Sequence, residues 1–178
     1  MDILGERVPD LVDYGIQTEE SDYRIHVCFG EGYIYVFQTA EGIEACKSGR
    51  YRCVAAHQPG VNYRTAEGYL VPPDDLSTCQ RIRIPSDILI HCRCIRKAST
   101  SAKGRAAIQT VKAMTVRGLV PVPILADEVT EEDMQVKGVD ILMVANVRMQ
   151  VKCDYDGGIS GTGNLYLQVR ELNPLGLH

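Results

Sequence analysis

Polar and apolar residues alternate with a period of two from residue 138 to residue 153, GVDILMVANVRMQVKC. Ile141, Met143, Val147, Met149, Val151 and Cys153 fall on odd positions and are all apolar. Asp140, Arg148, Gln150 and Lys152 fall on even ones, which continue into Asp154 and include Leu142 and Val144 as apolar members. A period of two marks a strand with one buried face, so the stretch predicts two strands joined by a tight turn. An odd-length loop near Ala145, Asn146 and Val147 sets the even positions of both strands on one face. Opposite residues of such a pair lie about 4.5–5.5 Å apart at Cβ.

Other segments carry their own patterns. Residues 23–29, 33–39, 50–55, 81–85 and 88–95 are rich in aromatic or β-branched residues and read as strands. Gly30, Glu31 and Gly32 suit a hairpin connection, and residues 58–60 and 72–74 read as turns. Residues 99–119 read as a helix, with Ser99, Thr100 and Ser101 as candidate N-caps and Gly118 as its stop. Ala107, Val111 and Met114 recur at helical spacing and would face a sheet, leaving Arg105, Lys112 and Arg117 for other faces. The apolar run 120–125 would be the next strand, but Pro121 and Pro123 remove donors on one side and suit an edge. Residues 127–133 are acidic and predict a short helix or loop, residues 157–164 a flexible connection, and residues 165–170 a last strand. The pattern divides the chain into a β-rich module over 1–98 and a helix-and-strand domain over 99–178, an α+β class.

Length and composition allow one sizeable core or two small ones: 178 residues, 45% hydrophobic and 24% charged. No apolar run approaches the roughly 18 residues a membrane helix needs, and the acidic start lacks a signal peptide's features. Seven cysteines at irregular spacing then read as reduced thiols, and the expected location is cytoplasmic. Cys92 and Cys94, with His91 adjacent, would supply only half of a structural zinc site. Net charge is −4, unevenly spread: residues 1–22 carry −6, so the remainder is weakly basic. The total therefore neither supports nor excludes a polyanionic partner. Arg81, Arg83, Arg93, Arg96 and Lys97 make the segment before the helix basic, and Tyr33, Tyr35 and Tyr51 are candidates for base stacking or for ordinary packing.

Asp140, Gln150 and Lys152 on one sheet face would join an acid, an amide oxygen and an ammonium. That set serves a metal-assisted hydrolase or forms the solvated face of an ordinary hairpin. Asp140 followed by Gln150-Val151-Lys152 resembles the D…(E/Q)xK signature of the restriction-endonuclease-like, PD-(D/E)xK, nucleases. The order helix, strand, strand with Asp, strand with QxK over residues 99–155 is similar to the core of that superfamily. Beside a β-rich module over residues 1–98, about which it says nothing and for which DNA recognition is a candidate role, the resemblance implies a restriction-endonuclease-like core, a helix with a mixed sheet. It further implies Mg²⁺-dependent DNA endonuclease activity of the homing, restriction or junction-resolving type, with Mn²⁺ as a substitute ion. Asp140, Gln150 and the Val151 main-chain carbonyl would hold the metal, and Asp140, Gln150 and Lys152 would be catalytic. Lys103, Arg105, Arg93, Arg96 and Lys97 would contact DNA, and a dimer or higher homo-oligomer is expected by analogy. Two departures stand beside this. Gln150 replaces the usual glutamate, and Ile108 and Gln109 occupy the part of the helix where the family often carries an acid. A nuclease-fold protein that binds nucleic acid without cutting it, and a structural or assembly protein with a coincidental D…QxK pattern, are the alternatives.

Overall fold

The computed structural model describes residues 16, 20–57, 64–92, 95–121, 141–142, 147–154 and 159–171. Among these, the chain order is β1 (Tyr23–Cys28), β2 (Tyr33–Gln38), α1 (Thr39–Lys47), β3 (Cys53–His57), β4 (Arg64–Val71) and β5 (Gln80–Arg83). Next come α2 (Ser86–Leu89), α3 (Thr100–Val116), β6 (Ile141–Leu142), β7 (Arg148–Cys153), α4 (Ile159–Thr162) and β8 (Leu165–Glu171). The arrangement is α+β. No helix among the described residues is long and apolar enough to cross a membrane.

A mixed five-stranded sheet, ordered β5-β2-β1-β7-β6, lies at the centre. β1 pairs antiparallel with β2 but parallel with β7, while β6 and β7 form an antiparallel pair. The boundary drawn between residues 98 and 99 thus runs through one sheet: β1, β2 and β5 precede it, and β6 and β7 follow it. The odd positions of β1 and β7 meet α3. Ile25, Val27, Met149 and Val151 are buried with Ala107, Val111 and Met114, as the helical and strand periods predict. The Ser99 hydroxyl accepts the Ala102 N–H at 3.3 Å, and Gly118 adopts φ +70° beyond the helix end, which a residue with a Cβ rarely adopts.

The opposite face is also covered, by α1 and by a second, antiparallel sheet ordered β3-β4-β8. Phe37, Cys46, Leu165 and Leu167 are buried there together. Close approach needs a glycine: a Cβ on Gly42 of α1 would lie 2.7 Å from the Ile16 side chain and 2.9 Å from Phe37. The described part of the run, residues 88–92 and 95, is helical and not a strand. After Pro85, α2 begins at Ser86 and tight helical turns follow at Ile90–Cys92 and Ile95–Lys97. Ile88, Leu89, Cys92 and Ile95 then pack on the α3 core, a helical spacing inside a short apolar run that period alone does not distinguish from a strand. Residues 159–162, expected as loop, form α4 with Ile159 buried.

Glu41 of α1 ties the turn before β5 to the body of the fold. Its Oε1 accepts the Ser77 N–H at 2.5 Å and the Ser77 hydroxyl at 2.8 Å, and its Oε2 accepts the Thr78 N–H at 2.9 Å and the Thr78 hydroxyl. Burial acts to raise the carboxyl's pKa, but these bonds outweigh it and hold the group below its ordinary value. A depressed pKa stabilises the fold above the unfolded-state value, and the gain is lost as pH falls through the folded value. Glu41→Gln is expected to cost about 1 kcal/mol at neutral pH after solvent screening. Urea midpoints taken from neutral to acid pH should show the difference from wild type closing as the pH drops.

Candidate functional site

β7 supplies the sequence-predicted site. Met149 and Val151 point into the α3 core, so Gln150 and Lys152 share the other face. Gln150 is buried, with 6% exposure, and Lys152 is half-buried. The Gln150 Oε1 accepts no hydrogen bond from any described group, an unusual state for a buried oxygen. On the β6 side, Ile141 pairs with Met149 and Leu142 with Arg148, which leaves five residues, an odd number, between the last paired positions. Asp140 lies outside the described residues.

The parallel register with β1 adds residues that the linear pattern did not link to β7. Arg24 is the partner of Gln150, and His26 is the partner of Lys152. Arg24 and His26 are 1% and 2% exposed, so both are interior groups. The Arg24 Nε donates to His26 Nε2 at 3.1 Å. A ring nitrogen that accepts a hydrogen bond carries no proton, so the His26 proton sits on Nδ1. That Nδ1 lies 3.8 Å from the Asp154 Oδ2, and the same Asp154 oxygen accepts the Ile159 N–H at 3.1 Å. Burial pushes the neighbouring Cys28 thiol up, and the Asp154 charge adds to that shift. The even face of β1 and β7 is therefore a buried polar cluster, where the sequence pattern left a solvated face as one reading.

No protein-family model, curated protein or solved structure matches this chain. The functional reading rests on the site's own chemistry.

The remaining predicted contacts are dispersed. Lys103 and Arg105 lie in the first turns of α3, which covers the face opposite Gln150 and Lys152. Lys103 is close enough to offset part of the burial that pushes the Cys153 thiol up to about 11. Lys97 is exposed at the end of its helical turn, and Arg93 lies outside the described residues. Arg96 belongs to the same turn as Lys97. At the β5 edge, the exposed Arg81 guanidinium sits 3.8 Å from the centroid of the Tyr33 ring, whereas Tyr35 is buried as a packing residue.

A hard cation such as Mg²⁺ takes oxygen ligands. The Gln150 Oε1 fits that demand: it is an amide oxygen, buried, with no competing hydrogen bond among the described residues. Val151 contributes its side chain to the helix-side core. Among the described residues no group of three His, Cys, Asp or Glu side chains is placed to hold a metal. Asp140, the carboxylate in the ligand set the resemblance implies, lies outside the described residues. Sequence reasoning missed Arg24, His26 and Asp154 as members of one cluster. The available signal was the alternation Arg24, His26, Cys28 against Ile25, Val27 in the first strand.

Proposed function

We propose that the chain is a Mg²⁺-dependent DNA endonuclease with a restriction-endonuclease-like core. The observation that carries the reading is the buried, unpartnered Gln150 Oε1 two residues before Lys152 on the same face of β7. The β6–β7 pairing and the packing of α3 against β7 support it. Under this reading Asp140, the Gln150 side chain and the Val151 carbonyl hold the ion. The chemistry a bound Mg²⁺ supplies is a lowered water pKa and compensation of phosphate charge. Gln150 keeps an oxygen ligand while removing a negative charge relative to glutamate, so tighter ion binding in the presence of DNA phosphate is expected. Lys152 orients the attacking water or offsets charge developing on the phosphate. Lys103, Arg105, Arg93, Arg96 and Lys97 contribute phosphate contacts outside the reacting centre. Cutting both strands needs two such sites, which makes self-association part of the reading.

A second reading, nucleic-acid binding without cleavage, is favoured by one feature. Arg24, the register partner of the neutral Gln150, and Lys152 on the same face give it basic character with fewer carboxylates than a metal site commonly uses. Plasmid nicking with and without Mg²⁺, using Asp140→Ala and Lys152→Ala, separates the two. Loss of nicking in both variants supports the endonuclease, and DNA binding without nicking by wild type selects the second reading. Neither binding nor nicking leaves a structural or assembly role.

A further inference from the structure

Behind the Gln150–Lys152 pair lies a chain of polar contacts that connects three separate parts of the fold. The Asp154 N–H donates to the Val27 carbonyl at 3.0 Å, extending the β1–β7 pairing one residue past Cys153. Its carboxylate receives the Ile159 N–H, so one residue fixes both the end of β7 and the start of α4. The same carboxylate faces His26 Nδ1, whose ring is held from the other side by Arg24 and rests against Phe37, centroids 5.7 Å apart. His26 is the register partner of Lys152. The imidazole beside Lys152 is thus fixed in orientation and in tautomer, and it is neutral, because Nε2 accepts from a guanidinium.

We infer that His26 and Asp154 are positioning residues for Lys152, an inference that rests on the endonuclease reading of the same face. Neighbouring strands are about 4.8 Å apart, so the His26 ring forms the wall along which the Lys152 stem runs. A ring free to turn would let the ammonium take several positions, and a protonated ring would add a second positive charge at that spot. Asp154 limits the first by setting its carboxylate 3.8 Å from Nδ1, which favours the orientation with the Nδ1–H toward it. Arg24 prevents the second by occupying Nε2. Groups that orient catalytic side chains in this way typically cost about 10- to 100-fold in activity or ion affinity when removed.

The test uses protein labelled with ¹³C-lysine, with the Lys152 Cε signal assigned by its loss in Lys152→Arg. His26→Leu removes the wall, and Asp154→Asn removes the charge while keeping an oxygen for the Ile159 N–H. Asp87→Asn, which breaks an exposed ion pair with Arg117 elsewhere on the surface, serves as control. Expected are a shifted Lys152 signal in both cluster variants but not in the control, and kcat for Mg²⁺-dependent nicking lower by roughly 10- to 100-fold with KM for DNA unchanged. His26→Asn, whose amide nitrogen can take the place of Nδ1 facing Asp154, should recover part of the loss. Should His26→Leu not fold, Asp154→Asn and His26→Asn carry the test. An unmoved Lys152 signal, or wild-type kcat in Asp154→Asn, overturns the inference and leaves the endonuclease reading standing. A shifted signal in a wild-type protein that never nicks DNA keeps the positioning of Lys152 and overturns the endonuclease reading.

Discussion

Replacing Lys152 by alanine is expected to lower Mg²⁺-dependent nicking by about 10²- to 10³-fold, the range for losing one preorganised group that stabilises transition-state charge. The side chain is half-buried and shares the Gln150 face, which in the endonuclease reading sets its ammonium toward the ion and the substrate phosphate. Truncation leaves the Met149 and Val151 packing on α3 untouched, because those side chains point the other way. Unfolding midpoints should therefore move little while turnover collapses. Lys152→Arg keeps the charge but changes its shape, and an intermediate rate is expected. A Lys152→Ala protein that nicks within about threefold of wild type is inconsistent with this assignment.

Phe37→Ala is expected to destabilise the fold by about 3–5 kcal/mol. Phe37 is fully buried between the central sheet and α1, against the space that Gly42 leaves open, and its ring supports His26. Alanine removes the ring, and the surrounding strands can collapse only in part, so a cavity term adds to the lost transfer energy. For a chain of this size the midpoint of thermal unfolding should drop by roughly 6–20 °C, which circular dichroism reads directly. A loss under about 1 kcal/mol would mean that the Phe37 face of the sheet is not covered as described. Phe37→Leu, which keeps most of the volume, should recover much of the stability.

The helix side of the fold was legible in the sequence because its signals are local. The three-and-four spacing of Ala107, Val111 and Met114 and the alternation through Met149 and Val151 each lie within one segment, and both faces are buried as read. The Ser99 cap and the Gly118 stop are likewise properties of a few adjacent residues. The run 88–95 reads as a strand in sequence because six apolar residues in eight satisfy a short strand as easily as turns of helix, whereas after Pro85 the chain starts a helix at Ser86. α1 carries Gly42 in its interior, a poor helix former kept by the close approach of Phe37 and Ile16.

The candidate site was legible only along one strand. Gln150 and Lys152 share a face because residues two apart on a strand must. The parallel pairing that sets Arg24 beside Gln150 joins residues more than a hundred positions apart, and nothing within either segment specifies a partner. The same long-range pairing buries the even face, which alternation alone assigns equally well to solvent. The alternation places Asp154 on the even face of the strand; its role comes from the His26 ring and the Ile159 N–H, supplied by two other elements.

Growth of crystals in Mn²⁺ and location of the ion by anomalous scattering tests the metal site most directly. The endonuclease reading expects a peak about 2.1 Å from the Gln150 Oε1, shared with the Asp140 carboxylate. Asp140 and Lys152 on opposite surfaces of the sheet, with no ion at Gln150, would contradict it.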